Sequence, residues 1–193
     1  GAEREERQRV LGDDRLGGVA GDGRRRGGQR PEQTAVGRGA ELEAIAGTGG
    51  RVDMVASDHS PAEPALKSGD FLSAWGGMAG VQSTLAVMLD RGHHERALRV
   101  ERIASLLAET PARRFRIPRK GSLTPEHDAD LVLIDPAASF TLSEEQLHQR
   151  HKTSPYLGAS FRGTVRRTIR RGETIFADGR ITAATGGRLV RPH

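Results

Sequence analysis

The sequence predicts an α/β fold preceded by a disordered leader, and three observations predict this class. A short apolar run, Val52 to Ala56, ends in a cluster of turn residues, which is typical of a buried parallel strand. Two segments with the helical spacing of apolar residues follow it. After Gly121 the pattern changes to short strands separated by turn residues.

The leader, residues 1–50, differs in composition from the rest of the 193-residue chain. It holds 13 of the 25 glycines and contains no aromatic residue, His, Lys or Met. Such a segment buries too little apolar surface to offset the entropy of ordering, so we expect disorder, with a helical turn or two at 40–46. One tract, RRRGGQR at 24–30, is similar to arginine–glycine RNA-binding segments but has no aromatic residue to stack on bases.

Composition also limits the classes of function. The chain has no cysteine, which excludes disulfides and thiolate metal sites. No stretch approaches the ~18 apolar residues of a membrane span and none resembles a secretion signal, so we expect a cytoplasmic protein with no membrane partner. The net charge is +5, but the arginines cluster in the leader and at 162–171, which favours solvated surface over a nucleic-acid groove.

Two helices are predicted after the apolar run. The first has one apolar face and is closed by Gly92; the second has a similar face and is stopped by Pro111. The two faces consist of Val81, Leu85, Met88 and Leu89, and of Val100, Ile103, Leu106 and Leu107.

Three strands and a further helix are predicted beyond residue 121. The strands lie at 128–136 and on either side of the turn at Arg171-Gly172, and Asp178-Gly179 indicates a tight hairpin. The intervening helix would begin at Ser143 with a capping box closed by Gln146, and Leu142 with Leu147 would form a hydrophobic staple.

The turn Ser57-Asp58-His59-Ser60 carries the first candidate chemistry. A carboxylate just beyond the carboxyl end of a buried parallel strand lies where α/β folds build their sites, and Asp58 could ligate a cation or move a proton there. The alternative is structural, because Ser-Asp clusters cap loops and Pro61 ends a strand.

A second group of candidate site residues lies in the segment FLSAWGGMAG, residues 71–80. Gly76 and Gly77 before a helix would let a ligand approach the backbone, and Trp75 could form a wall of the same pocket. The structural alternative is a tight glycine loop on which the tryptophan packs.

The remaining histidines and arginines give weaker indications of a functional site. His148 and His151 are spaced i, i+3, as metal ligands on a helix can be, but no suitable third ligand lies near them in sequence, and we expect no zinc site there. His93 and His94 suit the end of a helix. The arginine pairs at 166–167 and 170–171 are explained by a solvent-facing strand.

Taken in order, several segments resemble the C-terminal part of the cyclic amidohydrolases, the family of the allantoinases, hydantoinases and dihydroorotases. They are VDMVASDHSP, GDFLSAWGGMAGVQSTLAVML, ETPARRFRI, KGSLTPEHDADLVLIDP, HQRHKTSPYLG and RGTVRRTIRRGETIFADGRI, which extend from about Val52 to about Ile181. AWGGMAGVQS and HQRHKTSPY favour the allantoinases within this family.

The resemblance implies a fold and a chemistry. It implies the last strand and helices of a (β/α)₈ barrel at 51–118, a segment of a small β-sandwich at 119–185 and a tail at 186–193. It further implies a homo-oligomeric, binuclear zinc enzyme that hydrolyses a ureide ring such as allantoin. Asp58 would touch the metal and carry the proton, while Trp75, Gly76 and Gly77 would border the substrate with His59 and Ser60.

The chain also departs from the family. The other metal ligands of the family, histidines and a modified lysine, precede the aspartate, and residues 1–57 contain neither residue type. We therefore expect this chain alone to be inactive and not to bind zinc, and we interpret residues 1–50 as a wrong-frame translation. Three alternatives stay open: hydantoinase or dihydroorotase activity, an inactive remnant, and RNA binding by the leader.

Overall fold

The structure, a computed structural model, describes residues 52–68, 70, 72–183 and 186–192. The expectations about the leader, its disorder, its helical turns and its RNA binding, lie outside the described residues. Within them, helices precede a β-sheet, so the mixed α/β class is confirmed. No helix in this part of the chain is long and apolar enough to cross a membrane.

Two helices contain wide π-helical turns. Helix α1 comprises an α-helical turn, Thr84–Val87, and a π-helical stretch, Met88–His94. Helix α2 runs over 100–114 as Val100–Ala104, the π-helical Ser105–Glu109 and Thr110–Arg114. Single 3₁₀ turns occur at Pro64–Lys67 and Glu144–Gln146.

The predicted apolar faces are largely confirmed by the first core cluster. Met88, Leu89, Ile103 and Leu106 are buried there together with Val52 and Leu98, and Leu85 and Leu107 pack against them. Val81 was predicted on the same face but lies in the turn before α1 with 60% of its surface exposed. The spacing is right, but the helix begins three residues later than Val81.

The predicted helix ends are wrong in both cases. Gly92 lies inside α1, and a Cβ there would touch the Leu98 side chain at 3.4 Å, so glycine permits a close contact instead of ending the helix. Pro111 lies inside α2, just after the π-helical stretch Ser105–Glu109, and does not end the helix. The helix continues through it to Arg114.

The segment 52–56 contains one β-bridge residue, Val55, and is not part of the four-stranded sheet, so the parallel strand stays a prediction. Val52 is buried, but Val55 donates its N–H to the Leu106 carbonyl in α2, at 3.1 Å. A parallel strand needs neighbouring strands for its ladder. Among the described residues, one parallel bridge lies close to this segment, between His59 and Met78.

Four antiparallel strands form the sheet, in the order β1-β2-β3-β4. They are β1 Leu131–Thr141, β2 Ser160–Arg170, β3 Glu173–Ala177 and β4 Arg180–Ile181. Both predicted turns are confirmed: Arg171-Gly172 joins β2 to β3 and Asp178-Gly179 joins β3 to β4. All four turn residues have positive φ, as tight primed hairpin turns require.

The segment before β2 contains the predicted capping box but no long helix. The Gln146 side chain accepts the Ser143 N–H at 2.8 Å, and Leu142 and Leu147 are buried in the second core cluster. The helical turn nevertheless ends at Gln146, so His148 and His151 do not lie on a helix. The second cluster joins Val87 of α1 to Phe161 of β2 and so holds the helices against the sheet.

Candidate active site

Two loops that carry the predicted site residues lie side by side. We call residues 57–60 the acid loop and residues 74–81 the tryptophan loop. His59 and Met78 form a parallel bridge, and the Ser60 N–H donates to the Met78 carbonyl at 2.8 Å. The backbones of the acid loop and the tryptophan loop are thereby held in direct hydrogen-bonding contact.

Two glycines make this approach possible. A Cβ on Gly77, whose φ is +77°, would lie 2.6 Å from the Ser60 Cβ. A Cβ on Gly80 would lie 2.7 Å from the Ser57 carbonyl oxygen. Any larger residue at either position would force the loops apart, so both glycines have a structural role here.

Side chains of the acid loop bind the neighbouring loop. The Trp75 indole N–H donates to the Ser60 hydroxyl oxygen at 3.4 Å, and the Val81 backbone N–H donates to Nδ1 of His59 at 3.3 Å. These hydrogen bonds connect residues 15 and 22 positions apart. The acid loop and the tryptophan loop therefore form one unit.

Asp58 lies at the tip of this unit. Its φ is +42°, in the left-handed region that is uncommon for residues with a side chain, although Asp adopts it more readily than most. Its side chain is exposed. The carboxylate is thus open to solvent beside the loop that carries Trp75.

The tryptophan loop presents an open apolar surface next to the acid loop. Trp75 is 57% exposed, and a Cβ on Gly76 would meet nothing within 4 Å. Gly76 therefore borders open space, whereas Gly77 is packed against Ser60. A flat molecule could reach the indole and the Gly76 backbone without displacing other groups.

Lys67 supports the same unit and was not singled out from the sequence. Its ammonium donates to the Gly77 carbonyl at 2.6 Å, and the Leu66 carbonyl accepts the Trp75 backbone N–H at 2.7 Å. The available signal was that Lys67 is the only Lys or Arg between residues 52 and 90. Its partner is a backbone atom, which no sequence pattern specifies.

The described residues do not form a metal centre by themselves. They contain no group of three or more His, Asp or Glu side chains placed to hold one ion. Two histidines bind backbone carbonyls instead, His93 that of Leu98 at 2.9 Å and His94 that of Pro136 at 2.8 Å. Asp58 is therefore a candidate for one ligand and not for a complete site.

Other basic groups lie apart from the two loops. A concavity of about 440 Å³ at the end of α2 is lined by Arg113, Arg116 and Lys120 among others, and none of its lining residues belongs to either loop. On the sheet, Arg166 pairs with Asp135 at 2.9 Å and Arg170 with Glu173 at 3.0 Å. These ion pairs involve two of the four arginines of β2.

Comparison with known proteins relates the chain to one family. The model of the amidohydrolase family matches residues 34–175, so the match begins within the segment interpreted as a leader. The chain is 57% identical over 145 residues to an allantoinase from Solibacter usitatus and 51% identical over 144 residues to one from Rubrobacter xylanophilus. These alignments cover 75% and 74% of the chain.

The similarity extends to a solved structure. The fold is similar to that of an L-hydantoinase (dihydropyrimidinase) from Arthrobacter aurescens, with a TM-score of 0.72 and 29% identity over 78% of the chain. The chain spans about a third of the length of these relatives: 32% of each of the two allantoinases and 34% of the hydantoinase.

Proposed function

This chain belongs to the amidohydrolase family, and we propose that it forms part of the active site of an enzyme that hydrolyses the ring amide of allantoin. The observation that carries the proposal is the 57% identity to an allantoinase, found over the same residues that join Asp58 to the tryptophan loop.

We propose that residues 51–118 complete a (β/α)₈ barrel and that residues 119–185 belong to a small β-sandwich. The barrel assignment would give the segment 52–56 a parallel neighbour on each side, since barrel strands pair on both sides. The antiparallel sheet of β1 to β4 suits one layer of a sandwich. In this arrangement Asp58 lies at the carboxyl end of a barrel strand, where such folds carry their chemistry.

Asp58 is the proton carrier in this proposal. As a general base it takes a proton from the attacking water, and as a general acid it delivers that proton to the departing ring nitrogen. Its exposure leaves the carboxylate free to reach both atoms. No other acid belongs to the acid loop or the tryptophan loop.

Zinc is the metal that we propose for the whole protein. Because the described residues contain no complete group of ligands, Asp58 is the one ligand that they would contribute to it. Bound zinc would activate water and polarise the ring carbonyl.

Substrate contacts are assigned to the tryptophan loop. A ureide ring is flat and carries N–H and C=O groups around its edge, so the exposed indole of Trp75 can cover one face. The Gly76 backbone can approach the edge because no side chain intervenes. His59 and Ser60 line the same mouth, and their hydrogen bonds hold this wall in place.

A hydantoinase is the second candidate, favoured by the similarity to the L-hydantoinase structure. Both reactions open a five-membered ring at an amide bond, and the higher identity to an allantoinase, 57% against 29% to the hydantoinase, favours allantoin. Dihydroorotate is a third substrate to be compared.

A hybrid enzyme tests the proposal. Residues 34–175 would replace the matching segment of the Solibacter usitatus allantoinase, and hydrolysis of allantoin, hydantoin and dihydroorotate would be measured. We expect allantoin turnover that falls by about 10²–10⁴-fold in the Asp58→Asn hybrid, because a positioned general base contributes that much.

Two results would contradict the proposal. One is a well-folded hybrid that does not hydrolyse allantoin; the other is an Asp58→Asn hybrid that is as active as the parent hybrid. The unmodified 193-residue chain, supplied with zinc, is the control without the host residues, and we expect no turnover from it.

A further inference from the structure

Asp58 is held from both sides by backbone contacts to the tryptophan loop. On one side the Ser57 carbonyl oxygen packs against Gly80, where a Cβ would come within 2.7 Å. On the other side the Ser60 N–H donates to Met78 at 2.8 Å. The two anchors lie within two residues of Asp58, whose φ of +42° is one that Asp adopts more readily than most residues.

His59 provides the side-chain connection between the anchors. Its Nδ1 accepts the Val81 N–H at 3.3 Å, just before α1 begins, where N–H groups have no partner within a helix. An imidazole nitrogen that accepts a hydrogen bond carries no proton, so the neutral ring is protonated at Nε2. The hydrogen bond therefore fixes both the place of the ring and its tautomer.

We propose that His59 is a positioning residue that locks the acid loop to the tryptophan loop, so that Asp58 and the Trp75 wall keep one fixed separation. Its consequence for catalysis rests on the proposed function. Because misplacement of a reacting group by about 1 Å can cost about 10²-fold in rate, a fixed separation between proton carrier and ring is a catalytic requirement.

Two substitutions distinguish the contribution of the His59 hydrogen bond from that of the size of its ring. His59→Asn keeps an acceptor oxygen close to the position of Nδ1, whereas His59→Phe keeps a flat ring and has no acceptor. If the acceptor matters, the asparagine variant resembles the wild type and the phenylalanine variant does not.

NMR of the complete 193-residue chain gives the first readout. The chain has a single tryptophan, so the Trp75 indole N–H gives one resonance that reports its contact with Ser60. We expect His59→Phe to shift this resonance and to accelerate exchange of the Val81 amide by about tenfold, as loss of one hydrogen bond allows. His59→Asn leaves both unchanged. Any other pattern in the two variants overturns the proposal.

The wild-type chain supplies a test that needs no variant. Long-range ¹H–¹⁵N correlation spectra distinguish the two tautomers of a neutral histidine, and the proposal requires the Nε2–H form for His59. Detection of the Nδ1–H form overturns it, even if His59→Phe fails to fold.

Kinetics of the hybrid enzyme give the second readout. We expect His59→Phe to lower kcat about 10- to 100-fold with a smaller change in KM, and His59→Asn to retain more of kcat than His59→Phe does. An unchanged kcat in His59→Phe overturns the catalytic consequence. Absence of allantoin hydrolysis in the parent hybrid contradicts the proposed function instead. In that case the NMR measurements alone test whether His59 holds the two loops together.

Discussion

At the scale of the residue, Asp58 has a proposed function and a backbone conformation that restricts which residues fit there. The left-handed conformation costs about 1–2 kcal/mol for an ordinary residue with a Cβ, and less for Asp and Asn. Substitutions at this position therefore change stability and chemistry together unless the new residue tolerates the same φ.

We expect Asp58→Ala to lower the free energy of unfolding by about 1 kcal/mol and Asp58→Asn to change it by only a few tenths. Denaturant unfolding of the wild type and both variants measures the difference. Equal losses in the two variants would mean that φ is not strained at this position. Asp58→Asn is for this reason the better control for activity.

The sequence identified Asp58, His59, Ser60 and Trp75 as residue types suited to a site, and the structure brings their loops together. It did not indicate that Ser60 and His59 would accept hydrogen bonds from partners 15 and 22 positions away. Residue type and turn chemistry are local properties, whereas those partners depend on how the two loops dock. The chemical roles of these residues stay predictions.

At the scale of the element, a buried glycine lies where α1 packs on β2. Gly163 is buried with φ at +107°, and a Cβ there would lie 2.8 Å from the Leu89 Cβ. Beside it, the Arg162 N–H donates to the Asp90 carboxylate at 3.1 Å. The helix and the strand approach closely because this position has no side chain.

Gly163→Ala should destabilise the chain by about 2–4 kcal/mol, because it adds overpacking of about 1–3 kcal/mol to the cost of an unfavourable φ. Gly158→Ala is the matched control, with φ at +79° but open space around its Cβ, and we expect a loss of about 1 kcal/mol. The measurement is the denaturant midpoint of each variant. Similar losses would show that sterics at Leu89 contribute nothing.

Elements differed in how well their boundaries could be predicted. The strand turns at Arg171-Gly172 and Asp178-Gly179 were correct because a two-residue turn with positive φ restricts the sequence directly. The helix ends at Gly92 and Pro111 were wrong, because glycine also permits close packing and α2 continues past its proline. A glycine or a proline is compatible with a helix end and with a helix interior, and the residues that pack around it in space determine which one forms.

At the scale of the whole molecule, the segment after α2 is attached to the sheet by a charged cluster. Lys120 pairs with Asp128 at 2.8 Å and also with Asp130, whose carboxylate accepts the Arg171 N–H at 2.7 Å. The hydrogen bond from Lys120 lowers the pKa of the Asp128 carboxyl below its usual 3.8. The hydrogen bonds to Asp128 and Asp130 raise the pKa of the Lys120 ammonium.

This cluster predicts a sign for the pH dependence of stability. A carboxyl whose pKa is lower in the folded state stabilises it fully above the unfolded pKa, and that contribution disappears as pH falls through the folded pKa. We therefore expect the free energy of unfolding to decrease below about pH 4. The raised pKa of Lys120 stabilises the folded state below its unfolded pKa and loses this effect as pH rises past it.

Lys120→Met is the variant that tests the contribution of the cluster. Without the ammonium, the pKa of Asp128 returns toward its ordinary value, so unfolding free energies at pH 7 and pH 3 should differ less than in the wild type. Urea unfolding at both pH values measures this difference. An unchanged difference in Lys120→Met would mean that the cluster does not contribute to acid sensitivity.

The sequence by itself determined that two helices precede the sheet, the two hairpin turns, the capping box at Ser143 and the set of polar residues gathered before Pro61. Each follows from short-range rules of backbone conformation and apolar spacing. The family membership agrees with the same ordered segments.

Only the tertiary structure decided which glycines permit close contact, where the helices end and how the acid loop meets the tryptophan loop. These features depend on atoms that are distant in sequence, such as Ser60 against Gly77 or Leu89 against Gly163. A local pattern restricts what a residue can do, but its neighbours in space determine which of those possibilities is realised, because steric exclusion and hydrogen bonding act only at contact distance.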